Sequence, residues 1–136
     1  MFSEGQIEIL QAVVNRMIPP DDWPGGWEAG VGDYLFRQFE RDLKGMVGLY
    51  QQGLDALEAE AQAAHGAGFA RLSAEQQDML LMQAERGTVQ TTWPLDPPNF
   101  ITMLAHHCAE GFYSDPDNGG NRDQIAWRMI GFEVRG

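Results

Sequence analysis

Residues 30–64 read GVGDYLFRQFERDLKGMVGLYQQGLDALEAEAQAA. Leu35, Phe39, Leu43, Val47, Tyr50, Leu54, Leu57 and Ala61 recur at intervals of three and four, the period of a helix with one apolar face. Gly45 and Gly48 each weaken a helix by about 1 kcal/mol relative to alanine. The stretch therefore predicts two helices, or one kinked near Lys44 and Gly45. His65, Gly66, Ala67 and Gly68 then read as a helix exit and turn.

Upstream, Ser3 with Gln6 forms a capping box, and Phe2 is placed to staple onto Ile7. Ile7, Leu10, Val14 and Met17 carry that helix to about Met17, where Pro19 and Pro20 stop it. The connection that follows holds turn formers and two tryptophans, Trp23 and Trp27. Two readings stand for them: rings that cap the domain's own core, or anchors for a partner, since tryptophan is enriched at interface hot spots.

Downstream, Ser73 with Gln76 repeats the capping box and opens a helix through Leu80, Leu81 and Ala84 that ends at Gly87. Residues 88–93 lack a strand partner and read as a loop, and Pro94, Pro97 and Pro98 stiffen the connection. Asp96 before Pro97 suits an N-cap and first helical position. The next helix carries Phe100, Leu104 and Cys108, with Gly111 read as its stop. Pro116 and the residues Asp117, Asn118, Gly119 and Gly120 then form a rigid turn. Asn121 with Gln124 resembles a helix N-cap pair, and Ile125, Met129 and Phe132, with Trp127 and Ile130 beside them, predict a short terminal helix. The whole predicts an all-α fold: a single irregular or orthogonal domain over residues 1–136, of about five to six helices with Pro/Gly-rich loops.

The length suits one hydrophobic core, and an apolar fraction of 43% is ordinary for a globular chain. A formal net charge of −11 argues against phosphate backbones and anionic membranes as partners, so neither nucleic acid nor membrane insertion is expected. No apolar run approaches the roughly 20 residues a membrane span needs. The single cysteine, Cys108, excludes an internal disulfide, and the Cys-x-x-Cys-His haem attachment is absent.

Three groups of residues invite a chemical reading. His106, His107 and Cys108 are adjacent, but neighbours on a helix point about 100° apart and cannot share one ion. His107 and Cys108 fall on the apolar face and His106 off it, which favours structural roles. Asp115, Asp117, Asn121 and Asp123 alternate as in a calcium loop with Gly120 at the sixth position, yet Ala126 stands where a bidentate glutamate belongs. A stand-alone helical ligand- or calcium-binding module built on those four residues is the alternative reading. The many acidic side chains are expected on the surface. No dinucleotide, phosphate-loop, nucleophile-elbow or zinc-protease motif occurs, so no catalytic or FAD-binding residue is expected.

The order Gly111-Phe112-Tyr113-Ser114-Asp115-Pro116, then Gly119-Gly120-Asn121-Arg122-Asp123, Trp127 and Ile130-Gly131-Phe132 resembles the C-terminal signature of the gluconate 2-dehydrogenase subunit 3 family. Ile18-Pro19-Pro20-Asp21 with Pro24-Gly25 and Glu28-Ala29-Gly30-Val31 is similar to its N-terminal part, and Tyr50, Gly53-Leu54, Leu57, Phe69 and Leu72-Ser73 to its middle. The resemblance implies a non-catalytic small subunit that stabilises, helps fold or helps export a larger partner. That partner is a flavoprotein of the glucose-methanol-choline (GMC) type that holds FAD and oxidises a sugar or alcohol. A cytochrome c subunit is implied as a further member of such complexes. Trp23, Trp27, Trp93, Tyr113, Asp115, Asn118 and Asn121 are the expected partner contacts, on their exposure-prone positions and not on any motif of the family. Members of the family often carry a twin-arginine export signal on this subunit, which this sequence lacks. The sequence as it stands implies the cytoplasm, or the periplasm where a signal was removed or the partner carries one.

Overall fold

The computed structural model describes residues 2–19 and 25–113, and the predicted turn and terminal helix beyond Tyr113 lie outside these. Among the described residues there are five α-helices and no strand: α1 Glu4–Met17, α2 Val31–Phe39, α3 Val47–His65, α4 Ala74–Arg86 and α5 Pro97–Phe112. Short 3₁₀ turns at Lys44–Met46 and Phe69–Arg71 join α2 to α3 and α3 to α4.

Local chemistry sets most of these ends. Ser3 and Ser73 each accept from the backbone N–H three residues on, and Gln6 and Gln76 accept from the two serine amides in return. Both capping boxes are therefore formed. Asp96 caps α5 through the Asn99 amide, with proline in the first helical positions. Gly66 and Gly87 close α3 and α4 in the left-handed conformation, with φ of 69° and 76°. Phe2 turns its ring to Phe36 and Phe39 of α2, at centroid distances of 6.1 and 5.2 Å, which places the predicted staple residue on a helix remote in sequence.

The predicted break between the two middle helices is real: α2 ends at Phe39, and turns carry the chain to α3. Gly111 departs from expectation. It lies inside α5, and the helix ends on Tyr113 with φ −98°. A Cβ at Gly111 would sit 2.8 Å from the Tyr34 ring, so glycine is needed there for the approach of α2 rather than for a turn.

The core runs between the helices as a chain of rings. Phe39 meets Tyr50 at 4.8 Å, Tyr50 meets Phe100 at 6.0 Å and Phe100 meets Trp93 at 6.3 Å. Edge-on aromatic pairs of this kind add to the burial of their area. Phe100 lies directly on Gly53 of α3, where an added Cβ would fall 2.1 Å from the ring. Around these rings, Leu10, Val13 and Val14 of α1, Leu35 of α2, Leu54 and Leu57 of α3 and Leu104 of α5 are fully enclosed. α5 packs against α4 and α2, while α1 lies on α3 and reaches α4.

Candidate functional site

Glu60 is on the third-helix face that carries Leu57 and Ala61, and it is only 2% exposed. The expectation that acidic residues lie on the surface fails here. Its carboxylate accepts from the Gln90 amide at 3.1 Å, the Thr91 amide at 2.7 Å, the Thr91 hydroxyl and the Trp93 indole N–H at 3.1 Å. Burial alone would raise the Glu60 pKa, but the Thr91, Gln90 and Trp93 donors outweigh it and hold the carboxyl below its ordinary value. The result is a charged, fully engaged carboxylate that fastens residues 90–93 to α3. The sequence signal was its place in the helical period, three residues after Leu57, where a solvent-facing acid does not belong.

The histidine and cysteine cluster of α5 separates as its spacing implies. His106 is exposed, His107 half-buried and Cys108 buried. The Tyr50 hydroxyl lies 2.6 Å from His107 Nδ1, and the two rings stack at 5.8 Å. Burial lowers the His107 pKa, against an upward pull from Glu110, and burial raises that of Tyr50. Both shifts favour the neutral forms, so Tyr50 donates and Nδ1 accepts, leaving the imidazole proton on Nε2. Burial pushes the Cys108 thiol up to about 12, which leaves it protonated and a poor nucleophile. No group of three metal-ligating side chains occurs among the described residues.

A polar groove of about 490 Å³ runs between the start of α1, α3 and the turn after α3. Its side chains bond one another, Gln6 Nε2 donating to Asp55 at 3.0 Å and Gln62 Nε2 to Glu58 at 3.3 Å, and Glu58 also accepts from the Phe69 backbone amide at 3.0 Å. On the far side of α1, Arg16 holds Asp78 of α4 through two contacts of 2.8 and 3.0 Å. Their mutual hydrogen bond raises the arginine and lowers the carboxyl pKa.

Of the residues expected to meet a partner, Trp27, Trp93 and Tyr113 are among the described residues. Trp27 is half-buried, its ring edge-on to Phe36 at 6.2 Å and its amide bonded to Asn15. Trp93 is half-buried over Phe100 and tied to Glu60. Both rings thus pack on the chain's own core. Tyr113 is exposed at the end of α5. Trp23, Asp115, Asn118 and Asn121 lie outside the described residues, as do Asp117 and Asp123 of the alternative calcium loop. No helix among the described residues is long and apolar enough to cross a membrane.

Comparison with curated proteins and with solved structures gives no match. A family model described as gluconate 2-dehydrogenase subunit 3 matches residues 4–134. That span takes in the five described helices and nearly the whole chain, and the chain belongs to this family of dehydrogenase-complex subunits.

Proposed function

We propose that this chain is the non-catalytic small subunit of an FAD-dependent sugar or alcohol dehydrogenase, and that it stabilises or helps fold a GMC-type catalytic partner. The family match over residues 4–134 carries the reading. The chemistry of the described residues supports it. The groups best suited to acid–base or nucleophilic work are committed to internal contacts: Glu60 to a loop, Tyr50 and His107 to each other, Cys108 to the core. FAD then belongs to the partner, whose flavin accepts the substrate's electrons. A cytochrome c subunit completes the route to an external acceptor, and export follows whichever chain of the complex bears the signal.

Co-expression of the flavoprotein with and without this chain tests the proposal. The expected result is a yellow complex that oxidises sugar or alcohol substrates with an artificial electron acceptor, while the chain purified alone is colourless and inactive. Sugar oxidation by the isolated chain would overturn the proposal. So would a flavoprotein that folds, binds FAD and turns over equally well without it.

A further inference from the structure

We infer that a trough bounded by α1, α4 and α5 receives an apolar segment of the flavoprotein partner, flanked by lysine or arginine. The inference rests on the small-subunit reading above and names the face that such a subunit would use. Met17 of α1, Leu81 and Met82 of α4, and Ile101 and Ala105 of α5 line the trough, with Arg16, Asp78 and Glu85 at its edge. A second hollow shares Met17 and Ala105 and continues over Ile18, Ala109 and Phe112 to Tyr113.

Three large apolar side chains are exposed among the described residues: Met79 at 52%, Met82 at 42% and Tyr113 at 48%. Met82 and Tyr113 stand at opposite ends of this continuous surface, and Met79 precedes Met82 by one helical turn. Exposed methionines on a helix cost solvation but adapt their shape to an incoming surface. Ala105 and Ala109 are one turn apart on α5 and exposed, which leaves the floor open to side chains from outside.

The charge at the edge selects the occupant. Among the described residues Arg16 is the one cation lining the trough, and Asp78 already holds it, so Glu85 leaves that edge negative. A second copy would bring a formal charge of −11 to a chain of −11 and meet the same acidic edge. A different chain with basic residues beside an apolar segment meets no such repulsion and gains steering as well.

The test places benzoylphenylalanine at Met82 in the full chain, co-expressed with the flavoprotein and irradiated, and maps the cross-linked peptide by mass spectrometry. The expected product joins residue 82 to a flavoprotein peptide containing lysine or arginine. Cross-links to a second copy, or to another segment of the same chain, would overturn the inference. In parallel, Met82→Glu and Ala105→Glu should each cut co-purified flavin about tenfold, while Gln52→Glu on α3 leaves it unchanged and helicity stays constant in all three. Flavin capture by the wild-type chain but equally by folded Met82→Glu would refute the trough alone. Absence of flavin from the wild-type preparation would refute the small-subunit reading and the trough with it.

Discussion

Glu58 and Glu60 stand two residues apart on α3, and each holds a loop. Glu58 is half-buried and accepts the Phe69 amide at 3.0 Å, with Gln62 of its own helix at 3.3 Å. It secures the turn that follows α3 directly. Glu60 is buried and gathers four donors from a loop 30 to 33 residues further on. Residues two apart on a helix project about 200° apart, so one acid faces the wet groove and the other the core. The same side chain is thus an adjustable surface contact in one place and a buried anchor in the other. What differs is the company: Glu58 lines an open groove, whereas at Glu60 the protein must supply every partner itself.

The strongest way to break this contrast is Glu60→Ala. Two backbone amides and an indole N–H would lose their acceptor in a mostly enclosed site, at a cost of about 3 kcal/mol. Urea unfolding reads the effect, and a loss below about 1 kcal/mol would mean that water replaces the carboxylate and Glu60 is no anchor.

A smaller loss follows from Glu60→Gln, which keeps the shape but turns an amide N–H₂ toward groups that themselves donate. The expected cost is about 2 kcal/mol near neutral pH. This variant also exposes the linkage. The folded-state pKa of Glu60 is lowered, so its charged form stabilises the fold above the unfolded pKa, and that stability is lost as pH falls through the folded value. The gap between wild type and Glu60→Gln should therefore be full at neutral pH and narrow below about pH 4, near the ordinary glutamate value. A gap independent of pH would show that the glutamate charge contributes nothing.

Trp93→Phe separates ring from donor. The ring contact with Phe100 is kept and one bond to Glu60 is lost, so about 1 kcal/mol is expected. Indifference to this change would make the indole N–H incidental. The mildest expected effect is Glu58→Ala, at about 0.5 kcal/mol, because the Phe69 amide can turn to water in the adjoining groove. A cost equal to that of Glu60→Ala would erase the distinction between the two acids.

The family itself was legible in ordered short motifs, and the chain's match over residues 4–134 agrees with them. The orientation of the loop tryptophans was not legible in the same way. Trp27 and Trp93 stand in loops, and loop position does not tell which way a ring turns. Both turn inward, onto Phe36 and Phe100. The exposure of Met82 has no local signal either, because a methionine one position beyond Leu81 reads as part of the same apolar face until the helix is packed.

What the amino-acid sequence determined by itself is the set of elements that depend on near neighbours. The capping boxes at Ser3 and Ser73, the Asp96 cap and the glycine ends of α3 and α4 are each written within about four residues, the reach of one helical turn. The tertiary structure alone decided what depends on distance in the chain. It sank Glu60 into the core and brought residues 90–93 to it, and it tied Tyr50 to His107 across 57 positions. It also made Gly111 a contact for Tyr34 instead of a helix stop. Such pairings carry no local signature, because a donor or a vacant volume is specified only when the helices that supply it have packed.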